Sequence, residues 1–329
     1  MASRIDPALK QLAERFGVTR LARLTGLDRC GVEVVGAVRP RGHVLQVSQG
    51  KGLTLEHARW SALGEAIELE AAENPDFRSS RARSRDRLIS EKWDVGELSI
   101  PWVPAEQLSN RAPCLVPAQA VYCPPAGRFD MGPSVITWRS NGLGAHPTSR
   151  AAAEEHAVLE LVERDALARV LPQGWTPHEA LRRLVVAPKG AVALRARGFA
   201  CFLFDLTFDS LPVAGALLFD LEGGAVPLTA GYACRRDWAS AAEAAWLEAA
   251  QSRLTEIHGA REDVLIGARD EGLGLLRAIE GVTPRVAPRR VERRPLGKVV
   301  KGDVSIVQLR EKPFVVKAVS PELLVSELL

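Results

Sequence analysis

No stretch of this sequence approaches the ~20 consecutive apolar residues that a membrane-crossing helix requires. The opening segment, MASRIDPALKQLAERFG, mixes charged and apolar residues and lacks the continuous apolar core of a secretory signal. The expectation is a cytoplasmic protein with no membrane partner. Neither sign of charge dominates: 43 Lys and Arg against 40 Asp and Glu leave a formal charge of +3, so no overall field draws the chain onto nucleic acid. Cysteine is sparse and unpatterned. Cys30, Cys114, Cys123, Cys201 and Cys234 are odd in number and lack the short spacing of a zinc knuckle, which excludes a disulfide framework and a cysteine metal centre. The histidines show no H-E-x-x-H spacing, and only His146, beside a glycine loop, draws notice. There is no Walker A sequence, and no G-x-G-x-x-G follows a clear strand.

What remains is an ordinary globular composition, 47% hydrophobic and 25% charged over 329 residues. Residues 6–16 read as a short helix ended by Gly17. Val32–Val38 and Val44–Val47 read as a hairpin around Arg39-Pro40-Arg41-Gly42. A helix is predicted over Thr54–Glu73, stopped by Asn74-Pro75. Phe77–Lys92, rich in arginine and serine, reads as an exposed connection. Short apolar runs such as Cys114–Val116 and Ala120–Tyr122 suggest strands, and Ser140–Pro147 reads as a loop feeding a long helix over Ser149–Leu171. Strands are expected at Arg195–Asp205, Val213–Phe219, Val304–Leu309 and Phe314–Val319, with a third long helix over Ala239–His258. No glycine- or serine-rich linker divides this pattern, so the expectation is one α+β domain over 1–329.

The acids fall in unexpected places. Glu65 and Glu68 stand three apart in the apolar run Ala62–Leu69, and Glu160 and Glu163 repeat the spacing in Ala157–Arg164. Glu248 and Gln251 present an acid and an amide in the same way. Residues three apart share a helix face. In buried helices such carboxylates must find cations or give up their charge. Arg164, Arg253 and Arg261 balance only part of the excess, and a hard divalent cation such as Mg²⁺, brought by a nucleotide, would resolve it. The same pattern also fits solvated helix faces, where E-x-x-E is common. Lys51, within Gly50-Lys51-Gly52, and the loop Ser140–Gly144 are phosphate-binding candidates, because glycines let backbone amides approach an anion.

At these residues the sequence resembles the YcaO family. The resemblance rests on Ser48–Gly52 followed by Ser61–Glu68, on Ser140–Leu143 with Glu160–Ala166, and on Glu248–Arg253 through Gly259–Arg261. Thr19-Arg20 and Thr25–Asp28 look like the family's opening. The resemblance implies a YcaO-like α+β fold of mixed and antiparallel sheets with long helices lining an ATP and Mg²⁺ site. It implies metal ligation by Glu65, Glu68, Glu160 and Glu163. Nucleotide contacts are implied for Lys51, Ser61, Asn141, Arg164, Glu248, Gln251, Arg253 and Arg261. No protein nucleophile is assigned.

The family's chemistry is ATP-dependent activation of a peptide amide, the amide oxygen attacking the γ-phosphate before a nucleophile displaces phosphate. Azoline-forming members use a side chain of the substrate and commonly carry a Pro-x-Pro-x-Pro tail, which the Val319–Leu329 stretch lacks. Members that act with a TfuA partner use sulfide to form a backbone thioamide, and Gly144-Ala145-His146-Pro147 resembles theirs. Thioamidation of a ribosomally made precursor peptide is therefore expected, with a sulfide donor and a TfuA-like or leader-peptide-binding protein as partners and a homodimer left open. The alternatives are an azoline-forming cyclodehydratase and a non-catalytic ATP-binding accessory protein. A nucleic-acid binder using the arginines of 78–87 stands last.

Overall fold

The computed structural model describes residues 5–75, 80–82, 92–93, 95, 98–134, 136, 139–186, 190–224, 226–259, 269–284 and 294–325. In chain order the elements begin with α1 (Pro7–Arg15), β1 (Arg20–Arg23), β2 (Glu33–Val38), β3 (Val47–Gly52), α2 (Leu55–Glu73) and β4 (Ser80–Ala82). They continue with β5 (Ile100–Gln107), β6 (Pro113–Pro117), α3 (Ala118–Val121), β7 (Asn141–His146), α4 (Arg150–Val170) and α5 (Ala191–Ala196). The C-terminal part holds β8 (Phe199–Asp205), β9 (Val213–Asp220), β10 (Leu228–Cys234), α6 (Trp238–His258), α7 (Arg269–Glu280), α8 (Leu296–Val299), β11 (Ser305–Glu311) and β12 (Phe314–Val319).

Among the described residues all strand pairing is antiparallel, in three sheets. One runs β1-β2-β3, one runs β10-β9-β8, and the largest runs β4-β5-β11-β12-β7 with β6 also on β5. β3, β7 and β10 are therefore each the edge strand of a different sheet.

The three long helices begin where side-chain caps replace missing backbone partners. The Thr54 hydroxyl accepts from the His57 N–H, that of Ser149 from Ala152, and the Asp237 carboxylate from Ser240. α6 stops at Gly259, whose φ of 63° is left-handed. All three helices carry buried residues on several sides, Ala58, Leu63 and Ala71 among those on α2. A buried bidentate pair, Arg39 to Glu73 at 2.6 and 2.8 Å, ties the β2–β3 connection to the end of α2. The Val44 N–H joins it on Glu73 at 2.8 Å.

Small residues let each helix lie directly on one edge strand. A β-carbon on Gly50 would stand 2.0 Å from the Ala62 nitrogen of α2, one on Gly142 2.0 Å from the Ala157 oxygen of α4, and one on Gly231 2.1 Å from the Ala249 nitrogen of α6. This overturns the expected loop at Ser140–Pro147. Asn141–His146 is a strand paired along its length with β12, and its glycines admit a helix backbone where a turn was expected.

Other expectations are corrected as well. Ala120-Val121 belongs to a helical turn, and Arg195-Ala196 ends α5 before the strand begins at Phe199. The second strand of the first hairpin starts only at Val47, and β10 was not foreseen because Leu228–Cys234 contains a glycine and few β-branched residues. Of the expected connection over 77–92, Ser80–Ala82 is a strand, Lys92 is a turn residue, and the rest lies outside the described residues. Among the described residues, no helix is long and apolar enough to cross a membrane.

If close approach of helix and strand is the constraint, Gly142→Ala should lower stability in urea unfolding by roughly 1–3 kcal/mol. Gly64→Ala, where a β-carbon meets nothing within 4 Å in the interior of α2, should raise it by about 0.5–1 kcal/mol.

Candidate functional site

The inward-facing backbone of each edge strand is satisfied by side chains from the helices. On α2, Glu65 accepts from the Gln49 N–H of its own strand, β3, at 3.2 Å, and Glu68 accepts from Ala145 of the next edge, β7, at 2.7 Å. On α4, Glu160 accepts from Leu143 of β7 at 2.6 Å, and Glu163 from Cys234 of β10 at 2.8 Å. On α6, Glu248 accepts from Tyr232 of β10 at 3.3 Å, and Gln251 turns to β3, where its side-chain amide donates to the Gln49 carbonyl at 3.3 Å.

The three helix–strand units thus close into a ring. In each, the first member of the E-x-x-E or E-x-x-Q pair serves its own strand and the second serves the next strand round. The closing contact needs a donor, and there the sequence has an amide in place of an acid.

Five carboxylates converge in this ring. Lys51 pairs with Glu248 at 2.7 Å, and Arg164 pairs with Glu160 at 2.7 Å while donating to the Asn141 carbonyl at 2.9 Å. Lys51, Arg164 and Arg235, which acts on Glu163, are fewer than the five acids. Burial pushes the Glu65 carboxyl up to about 7, with Glu160 and Glu248 adding to the rise against Lys51 and the Gln49 N–H. Burial, then Glu248 and Glu160, lifts Glu163 to about 7 in the same way. Glu68 lies well above the usual range, first through burial and then through Glu160 and Glu65.

Other residues expected at the site divide. Ser61 is exposed on α2 one turn ahead of Glu65, and Asn141 is buried at the start of β7. Arg253 is elsewhere: it is buried, pairs with Asp28 at 3.1 Å and Asp220 at 2.8 Å, and stacks on Phe199. Arg29 completes that cluster on Asp220 at 2.5 Å. Arg261 lies outside the described residues. His146 caps the entry to α4, its Nδ1 accepting from the Ser149 N–H at 2.9 Å.

Three residues near the carboxylates were not singled out from the sequence: Arg235, Lys317 and His156, which occupies on α4 the place of Ser61 on α2. The ring does leave one sequence trace. Ser48-x-Gly50, Gly142-x-Gly144 and Gly231-x-Ala233 each precede an E-x-x-E or E-x-x-Q pair by fifteen or sixteen positions counted from the second small residue.

A family model described as YcaO cyclodehydratase, ATP- and Mg²⁺-binding, matches residues 49–295. The chain belongs to the YcaO family. The matched span includes every one of the five ring carboxylates, and ATP and Mg²⁺ are the cofactors that the family's description names.

An uncharacterized protein of Methanothermobacter thermautotrophicus is 33% identical, the match covering 80% of this chain and 73% of that one. An uncharacterized protein in the tfuA 3′ region of Rhizobium leguminosarum bv. trifolii is 31% identical over 78% of this chain and 66% of its own length. Among solved structures, YcaO from Methanopyrus kandleri bound with AMPPCP and Mg²⁺ superposes with a TM-score of 0.74. That match is 24% identical over 95% of this chain and 88% of that chain, and it establishes the α+β YcaO fold.

The donor set fits these cofactors. The ring supplies oxygen ligands, which suit Mg²⁺, and the second oxygen of Glu65, of Glu68 and of Glu163 accepts no hydrogen bond from any described residue. The buried Gln49 side-chain nitrogen has no partner either and can donate to a ligand. Among the described residues no three His, Cys, Asp or Glu side chains already form a metal's ligand set, because each ring carboxylate is drawn to a strand N–H.

A carboxyl whose folded pKa lies above its unfolded value near 4.5 keeps protons that the unfolded chain sheds. The penalty from Glu65 and Glu163 is therefore absent below pH about 4.5 and complete above about 7. Thermal melting of the ligand-free protein should show Glu163→Gln raising Tm at pH 8 and having little effect at pH 5. Equal shifts at both pH values would remove the cost of a buried carboxylate charge as the cause.

Proposed function

We propose that this protein is an ATP- and Mg²⁺-dependent enzyme that activates a backbone amide of a ribosomally made precursor peptide, the favoured product being a thioamide. The observation that carries the reading is the ring of five carboxylates from α2, α4 and α6, held on three sheet edges with too few cations. In it Glu65, Glu68, Glu160 and Glu163 would hold Mg²⁺, and Lys51, Ser61, Asn141, Arg164, Glu248 and Gln251 would contact the nucleotide. Arg253 acts from behind α6 in this reading: by fixing the helix against Asp28 and Asp220 it sets where Glu248 and Gln251 stand.

When bound, Mg-ATP supplies an electrophilic phosphoryl group to the amide oxygen. The chain's own residues orient and neutralise. Arg164, steered by Glu160 and the Asn141 carbonyl, keeps a planar donor fork at the edge of β7, suited to phosphoryl oxygens. Lys51 can exchange its Glu248 partner for the ligand. The strand N–H groups fix one oxygen of each acid and so limit its rotation. With the acids positioned before the ligand arrives, little reorganisation remains for the reaction itself.

The preference for sulfur rests on the relative whose name places it beside tfuA and on the Gly144–Pro147 resemblance. It brings a TfuA-like partner and a sulfide donor with it. Azoline formation is the second reading, supported by the word cyclodehydratase in the family's description.

Purified protein incubated with ATP, Mg²⁺, a sulfide source and the peptide encoded beside its gene should replace one oxygen by sulfur in the peptide's mass. Loss of water would favour the azoline reading, and ATP binding without peptide-dependent phosphate release would leave an accessory protein. Glu163→Gln should cut phosphate release at least about 100-fold while circular dichroism stays unchanged; undiminished release would take Glu163 out of the metal's reach.

A further inference from the structure

Gln49 stands where the ring closes. Its main-chain N–H holds Glu65 of α2 at 3.2 Å and its carbonyl holds the Gln251 amide of α6 at 3.3 Å, so one residue of β3 joins two of the three long helices. Its side chain takes no part in either contact. A β-carbon on Gly50 would meet α2, and successive residues of a strand point to opposite faces, so Gln49 and Lys51 turn their side chains towards α6. The contacts agree: the Lys51 ammonium reaches Glu248 at 2.7 Å, and the Gln49 Oε1 accepts from the Thr255 hydroxyl at 2.6 Å.

The amide is held by one end only. Gln49 is 7% exposed, and its Nε2 is buried with no hydrogen-bond partner among the described residues. Nearly all buried polar groups are paired, and an apolar residue of the same length would fill this seam without leaving a donor unmet. The Thr255 contact fixes the amide's orientation and so fixes where the spare N–H stands. Thr255 follows Gln251 by four positions, on the same helix face and one turn further from Glu248.

The seam between β3 and α6 is therefore graded along its length. Lys51 places a cation at the level of Glu248, where it suits a phosphate. Seven positions further along α6, about 10 Å away, the Thr255–Gln49 pair offers an uncharged donor. Beside Glu65 an anionic acceptor would meet repulsion, so this donor suits a neutral one. A nucleotide carries both features, charged oxygens at one end and uncharged acceptors on its sugar and base at the other.

We infer that Gln49 is a specificity-determining residue of this site, its side-chain amide donating to an uncharged acceptor on the nucleoside part of the bound nucleotide while Lys51 meets the phosphates. The inference rests on the nucleotide site proposed above. A ring nitrogen of the base and an oxygen of the ribose share this chemistry, and the choice of ligand separates them.

Titration calorimetry of the full chain compares the parent with Gln49→Met, which keeps the length and removes the amide. The ligands are Mg-AMPPCP and Mg-tripolyphosphate, the second read by displacement of the first. The variant should bind Mg-AMPPCP about three- to tenfold more weakly than the parent and Mg-tripolyphosphate equally well. A penalty kept with the Mg complex of ribose 5-triphosphate, which lacks a base, assigns the ribose, and a penalty lost with it assigns the base.

Equal affinity of parent and variant for Mg-AMPPCP, with the amide met by water alone, would overturn the assignment. So would an equal loss with Mg-tripolyphosphate, which marks contact with phosphate or a general disturbance of the ring. Both results leave the site's function intact, whereas a parent that binds neither ligand would overturn the function proposed above and the assignment with it. Should the methionine variant not fold, Thr255→Val carries the same test, since it frees the amide from its anchor: a loss confined to Mg-AMPPCP upholds the assignment, and no loss or an equal one overturns it.

Discussion

Three sheets end on edge strands that face one another, and an edge strand presents a row of N–H groups that must be satisfied. Here they are met by carboxylates from helices lying on those strands. This one arrangement dictates much else. Glycine is required at Gly50, Gly142, Gly144 and Gly231 so that helix and strand can approach. Acids three apart are required so that each helix can serve two strands. The amide of Gln251 is required where the ring closes on a carbonyl.

The same contacts that satisfy the backbone bury these acids and crowd them together, and burial first, then the neighbouring carboxylates, raises Glu65, Glu68 and Glu163. Structural and functional demands meet in these side chains. One oxygen of each is used by the fold, and the other accepts no hydrogen bond from a described residue. A site that is destabilising when empty is a common cost of function, and in the function proposed above cation binding would stabilise the ring. The Arg253 cluster stands apart from this. Its two acids, Asp28 and Asp220, are met by Arg253 and Arg29, so it resembles a self-contained buried network that orients α6.

Much of the helical framework was legible in the chain. Thr54, Ser149 and Asp237 cap their helices through side-chain hydrogen bonds, and Pro75 and Gly259 mark two of the ends. The three acid-bearing motifs could be picked out because acids in apolar runs are costly. Strands were harder. β7 and β10 are rich in glycine and alanine, residues that disfavour strands in isolation, and their strand character comes from pairing with β12 and β9. Reading Gly142 and Gly144 as a loop followed from local propensity, which the helix-on-strand contact overrides.

By itself, then, the sequence determined which residues bear charge, where α1, α2, α4 and α6 start and stop, and the family to which the motifs belong, because these depend on local chemistry and spacing along the chain; α3 and α5 were read partly as strands and α7 and α8 were not read. Tertiary structure alone decided which strand each acid serves and that Arg253 is held by Asp28 and Asp220, away from the strand edges the acids serve. Those outcomes depend on how three sheet edges are brought face to face, and no local pattern encodes the distance between residues on separate sheets.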